Sequence, residues 1–101
     1  MAKYLFVYGY EAPDDWARNA LHGSDDESSD AVWIHARSEA EALDAGCAYA
    51  QRRVSALFAA RPPSAFPGWI EAGYAHWIEH RPLDRFTGVA LDLLPEIDAT
   101  P

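Results

Sequence analysis

The chain has 101 residues, half of them hydrophobic, with a formal net charge of −8 and one cysteine. Its four Trp, five Tyr and four Phe are typical of a single globular domain and exclude a disordered chain. One cysteine excludes an internal disulfide, and the acidic excess disfavours direct nucleic-acid binding because phosphates would be repelled. The apolar runs are too short for a signal peptide or a membrane span, so we expect a cytoplasmic protein without membrane contact.

Residues 3–11, KYLFVYGYE, alternate strictly and predict a strand. Leu5 and Val7 project to one face of this strand. Four aromatic side chains project to the other face: Tyr4, Phe6, Tyr8 and Tyr10. Because both faces are apolar or aromatic, we expect the strand to lie inside a sheet rather than at its edge.

Residues 12–30 contain Pro, Gly and a dense acidic cluster, and they predict an acidic loop with a short helical turn near residues 16–21. The cluster consists of Asp25, Asp26, Glu27 and Asp30. A calcium loop needs glycine at its sixth position and glutamate at its twelfth. Neither frame starting in this cluster supplies them, so we predict a solvated acidic loop without a metal.

Residues 31–37, AVWIHAR, predict a second strand, with Trp33, His35 and Arg37 on one face. Ser38 and Glu41 have the spacing of a capping box, in which each side chain accepts from the other residue's backbone amide. A helix is therefore expected over residues 39–60, before Pro62. Its predicted apolar stripe is Leu43, Cys47, Ala50, Val54 and Leu57.

The C-terminal third is harder to interpret. Residues 62–68 predict a rigid connector, and residues 73–80 predict a strand. Alternation of Val89, Leu91 and Leu93 predicts the last strand, and residues 95–101 are expected to form a loose tail. His76 and His80 would be about 13 Å apart along a strand, too far to share a zinc ion easily. We therefore expect no metal and no cofactor.

These elements predict an α+β fold in which residues 1–101 form a single domain. It is a two-layer sandwich of one long helix on a four-stranded, mainly antiparallel sheet, in the order β-β-α-β-β. We expect the helix to cover Leu5, Val7, Val32, Ile34, Val89, Leu91 and Leu93. The opposite face would then be aromatic, either exposed as an interaction surface or covered by residues 12–30 and 62–72.

The leading functional hypothesis is a small acidic protein-binding module, of the inhibitor or immunity and antitoxin kind, that docks on a basic surface of another protein. Its candidate contact residues are Tyr4, Tyr8, Tyr10, Trp33, His35, Arg37, Asp25, Asp26, Glu27 and Asp30. One alternative is a small enzyme or ligand-binding protein with a sheet-side pocket of His35, His76 and tyrosines. Another is a homo-oligomer, such as a dimer paired through the aromatic face. No residue is assigned a catalytic role.

Overall fold

The computed structural model describes residues 1–23, 28–59, 67–81 and 91–99. Its strands are β1 (Ala2–Tyr10), β2 (Ser28–Ala36), β3 (His76–Glu79) and β4 (Glu96–Asp98). Its helices are α1 (Pro13–His22), α2 (Glu39–Ala59) and the short α3 (Trp69–Ala72), and Leu91–Leu93 form a 3-10 turn.

The four strands form one sheet in the order β3-β1-β2-β4. β1 runs antiparallel to both β2 and β3, whereas β4 joins β2 in parallel. Helix α2 packs on β1, β2 and β3 and also contacts α3. The predicted α+β class, with a long helix on a four-stranded sheet, is therefore confirmed, and the sheet is mixed.

The small residues of α2 determine how closely the helix approaches the sheet. Its buried positions recur every fourth residue: Ala42, Gly46, Ala50, Val54 and Phe58. A Cβ atom on Gly46 would lie 2.6 Å from Cε2 of Phe6 and closer still to two other ring atoms. Only glycine therefore lets the helix backbone rest against this ring.

The predicted helix stripe is partly wrong. Ala50 and Val54 are buried as expected, but Leu43 and Cys47 are only half-buried and Leu57 is 41% exposed. In its first half, α2 meets the sheet with small residues, because the opposing strand presents large rings. The predicted stripe stepped by three and four residues, whereas the buried positions recur every fourth residue, so Phe58 rather than Leu57 is buried.

The predicted orientation of β1 is wrong, whereas that of β2 is correct. Phe6 is directly opposite Val32, and Tyr4 is opposite Ile34. Because directly paired residues share a face, the tyrosine side of β1 joins Val32 and Ile34 beneath α2. Leu5 and Val7 instead face away from the helix, where they form a second apolar cluster with Ala31. Both faces of β1 are apolar, so its own alternation does not reveal which face meets the helix.

The C-terminal region also differs from expectation. Leu91 and Leu93 belong to a 3-10 turn instead of a strand, while Val89 lies outside the described residues. The expected loose tail contains β4, which is fixed on β2. The Trp33 amide donates to the Pro95 carbonyl at 2.9 Å, and the Ala99 amide donates to the His35 carbonyl at 2.8 Å.

The expected loop at residues 12–30 contains more regular structure than predicted. Helix α1 has ten residues and ends at Gly23, which has a φ of 72°. That left-handed conformation favours glycine. The Gly23 amide donates to the Asn19 carbonyl, which closes the helix. Residues 28–30 belong to β2, and residues 24–27 lie outside the described part of the chain.

The capping box at the start of α2 is half confirmed. The Glu41 amide donates to Oγ of Ser38 at 3.2 Å, as expected. The Glu41 carboxylate, however, accepts from the backbone amide of Arg37 at 3.0 Å rather than from that of Ser38. The guanidinium of Arg37 also donates to this carboxylate, at 2.9 Å, so the strand end and the first helical turn are tied together.

Candidate functional site

The structure brings several predicted contact residues together at the end of the sheet where β1 stops and β2 begins. Tyr10 is paired with Ser28, and Tyr8 with Asp30. The Tyr8 hydroxyl lies 3.4 Å from the Asp30 carboxylate, which also accepts from the Ala31 backbone amide at 2.8 Å. Asp30 is therefore held in the fold and is not part of a mobile loop.

Helix α2 adds a cation to this end of the sheet. The Arg53 guanidinium is 3.8 Å from the Asp30 carboxylate and lies over the ring of Tyr49. Burial raises the pKa of the Tyr8 phenol above its ordinary value of 10, and the Asp30 carboxylate adds to the shift. Tyr8 is thus a neutral hydrogen-bond donor.

Tyr8 is only 1% exposed, so it cannot contact a partner while the chain is folded. Tyr4 and Tyr10 are half-buried at the margin of the same core. Of the two alternatives for this face, exposure is therefore wrong, because α2 covers it. Trp16 and Trp69, from the two segments that were expected to cover it otherwise, pack against the same cluster. This face is not available for pairing with a second copy of the folded chain.

The other predicted contact residues lie on or beside the opposite face of the sheet. The Lys3 ammonium is 4.8 Å from the centre of the Trp33 ring, and the Trp33 indole donates to the Leu91 carbonyl at 2.8 Å. His35 is 3.0 Å from the Glu96 carboxylate. Hydrogen bonds from His35 and then Lys3 hold the pKa of Glu96 below its ordinary value of 4.5.

A catalytic pairing of His35 with His76 is excluded by the sheet. His35 is opposite Lys3 and faces away from α2, whereas His76 is opposite Tyr8 and faces the helix. General acid–base partners must lie within hydrogen-bond reach of one reacting proton. The predicted pocket containing both histidines is therefore not assembled.

Sequence reasoning missed a buried polar network beside α3. The Glu11 carboxylate is only 8% exposed and accepts from the Tyr74 hydroxyl at 2.9 Å. Its other oxygen accepts from the Asn19 side-chain amide. The Trp69 indole donates to the Gly9 carbonyl at 2.9 Å. The sequence shows only that Glu11 directly follows an apolar strand. This position does not reveal that Tyr74, about sixty residues away, donates to its carboxylate.

A cavity of about 260 Å³ lies next to this network. Its wall is formed by Cys47, Trp69, Ile70, Gly73, Tyr74 and His76. Burial, followed by the Asp44 carboxylate, raises the pKa of the Cys47 thiol. A thiol kept neutral in this way is a packing group and a weak nucleophile.

Neither a metal centre nor a membrane span is visible within the described ranges. No three His, Cys, Asp or Glu side chains there are grouped closely enough to hold a metal ion. His80 instead lies 2.6 Å from the Glu39 carboxylate. None of the helices described combines the length and apolar character needed to cross a membrane.

Asp25, Asp26 and Glu27 lie outside the described residues. In the sequence they fall between Gly23, which ends α1, and Ser28, which begins β2. Comparisons with protein-family models, curated proteins and solved structures found no match to this chain.

Proposed function

We propose that this chain is a small acidic module that binds a basic surface of another protein. The observation that carries the proposal is the distribution of charge. Lys3, Arg37 and Arg53 lie 3.4, 2.9 and 3.8 Å from Glu96, Glu41 and Asp30, respectively. Arg18 pairs likewise with Asp15. Each such pair is neutral, so the whole excess of −8 falls on the remaining side chains.

The densest run of acidic residues in the sequence directly precedes β2. Residues 25–27 carry three consecutive carboxylates and lead directly into Ser28, which is paired with the half-buried Tyr10. In protein interfaces an aromatic side chain commonly serves as a buried anchor, and acidic side chains beside it attract a basic partner over a longer range. We propose residues 25–27 and Tyr10 as the centre of the contact surface.

The proposal also assigns a role and a setting. The role is that of an inhibitor, immunity protein or antitoxin, whose acidic face neutralises a basic partner. The setting is the cytoplasm. Acidic attraction acts mainly on the rate of encounter, because oppositely charged surfaces steer diffusion. Asp30 is engaged by Tyr8 and Arg53, so we assign the attraction to the neighbouring acidic residues 25–27.

The test begins with the partner. The purified chain is immobilised, proteins retained from the lysate of its native organism are identified by mass spectrometry, and the retained protein is purified. Its association rate is then measured between about 0.1 and 1 M salt, over which the Debye length falls from about 10 to about 3 Å. We expect the rate to fall at least tenfold, the lower end of the range for steered association.

Two variants locate the effect. Asp25→Asn, Asp26→Asn and Glu27→Gln are combined in one variant, which should remove most of the salt dependence. The matched control combines Asp44→Asn, Glu71→Gln and Asp98→Asn, which removes the same charge at exposed positions elsewhere. Equal slowing of both variants, or a wild-type rate independent of salt, contradicts the proposed surface.

A further inference from the structure

The cavity beside α3 has a wall whose polar groups mostly point into the protein. The Trp69 indole nitrogen is engaged by the Gly9 carbonyl, and the Tyr74 hydroxyl by the buried Glu11 carboxylate. These two side chains therefore line the space with their ring carbons. Gly73 adds no side chain, and its φ of 74° marks the turn that leads from α3 toward β3.

Among the described residues of this wall, His76 offers a ring nitrogen to a ligand. Its Nδ1 lies 3.2 Å from the Tyr74 carbonyl oxygen. Because a carbonyl only accepts, this contact fixes the proton on Nδ1 in the neutral ring, which leaves Nε2 as an acceptor. The imidazole also lies beside Trp69, with 5.2 Å between ring centres, so the two rings form an aromatic corner.

Size and charge limit what the cavity can hold. Its volume is about 260 Å³, whereas an apolar cavity of about 150 Å³ is enough to hold benzene. Among the described residues, its wall contains no carboxylate to pair with a cation, and the net charge of −8 opposes an anion. Ile70 is 56% exposed, which places an apolar side chain at the solvent side of the wall.

We propose that this cavity binds a neutral aromatic molecule of one or two rings that carries one hydrogen-bond donor, in the manner of phenol or indole. The rings of Trp69 and Tyr74 pack on the aromatic body, and Nε2 of His76 accepts from the donor. None of the residues on which this proposal depends belongs to the proposed contact surface, so it stands or falls independently of the protein partner.

The probe is 4-fluorophenol, titrated into the full chain to about 10 mM and followed by ¹⁹F NMR, because ligands of this size bind in the millimolar range or tighter. Fluorobenzene is the matched probe without the hydroxyl. We expect saturable binding of 4-fluorophenol, and binding of fluorobenzene weaker by about two- to tenfold, the value of one neutral hydrogen bond. His76→Phe should abolish that preference.

Cys47→Phe fills the cavity from the α2 side and should abolish binding. Ala48→Phe places the same ring at the neighbouring exposed position, outside the wall, and should leave binding unchanged. Circular dichroism shows whether each variant folds. In the wild-type chain, saturating 4-fluorophenol should also slow alkylation of the Cys47 thiol by iodoacetamide.

Absence of saturable binding to the wild-type chain overturns the proposal. So does equal binding by the wild-type chain and a folded Cys47→Phe variant, or an alkylation rate unaffected by the probe. Equal affinity for the two probes overturns the assignment of His76 as the acceptor.

Discussion

Replacing Gly46 by alanine tests how α2 packs on the sheet, because two effects of known sign oppose each other. Alanine is favoured over glycine inside a helix by about 0.8–1.0 kcal/mol. Its methyl group, however, would lie within 2.6 Å of Phe6 Cε2. Phe6 is fully buried, with its ring centre 5.9 Å from that of Tyr8 and 6.1 Å from that of His76. The ring therefore cannot move aside freely, and overpacking of this kind costs about 1–3 kcal/mol.

We expect Gly46→Ala to lower the free energy of unfolding by up to about 2 kcal/mol, since overpacking outweighs the gain in helix propensity. For a chain of this size that corresponds to a fall in Tm of up to about 15 °C. Thermal and denaturant unfolding followed by circular dichroism measure it. Ala48→Gly, at an exposed site of α2, measures the propensity term alone and should cost about 1 kcal/mol.

A double variant identifies the contact responsible. Phe6→Leu shortens the opposing side chain, so Gly46→Ala should be less destabilising in that background than in the wild-type chain. If Gly46→Ala instead raises the free energy of unfolding by about 1 kcal/mol, propensity acts alone and the close approach of the helix backbone to the ring is refuted.

Three further predictions follow from the polar contacts. Glu11→Gln should lower the free energy of unfolding by about 1–3 kcal/mol, because an amide N–H then faces a buried donor. Asp44→Asn, at an exposed site, is the control and should change this free energy little. Denaturant unfolding measures both variants. The Arg37 backbone amide and guanidinium hold the pKa of the Glu41 carboxyl below its ordinary 4.5. The stability gained from this contact is present above that pH and lost as pH falls through the lower folded value. The difference in unfolding free energy between the wild-type chain and Glu41→Gln should therefore shrink toward acid pH, and a constant difference would contradict this. Burial raises the pKa of Tyr8, so Tyr8 should remain protonated near pH 10. The Tyr8→Phe variant should therefore reach the same tyrosinate absorbance at that pH as the wild-type chain. A lower absorbance in the variant would show that Tyr8 ionises there.

The parts of the fold that the sequence predicted well depend on local signals. The Ser38 and Glu41 spacing places the start of α2 where the structure has it, and the alternation of residues 31–37 identifies β2, although that strand begins three residues earlier. The layer architecture follows from one long helix and several strands. Each of these signals lies within a few residues of the element that it predicts.

The orientation of β1 was not predictable from its own residues, because both of its faces are apolar. The information lay in complementarity between elements: the small residues of α2, Ala42, Gly46 and Ala50, leave room for large rings such as that of Phe6. Recognising that match requires knowing which strands the helix crosses.

The C-terminal strand and the buried network depend on distant partners. Alternation over a few residues near Leu91 suggested a strand, but that segment turns, and β4 is formed by pairing with β2 about sixty residues earlier. The Glu11 and Tyr74 contact spans 63 residues. Neither pairing leaves a periodic pattern in the sequence, and so the cavity beside Tyr74 was not predicted either.

The central functional claim is that the acidic residues 25–27, which precede β2 in the sequence, draw in a basic partner. The most direct measurement is the association rate of the purified partner at low and high salt, with the wild-type chain and with the variant neutralised at residues 25–27. The claim predicts a rate that falls at least tenfold with salt in the wild-type chain, and a slower, nearly salt-independent rate in the variant. A wild-type rate that does not change with salt, or a variant that associates as fast as the wild type, contradicts it.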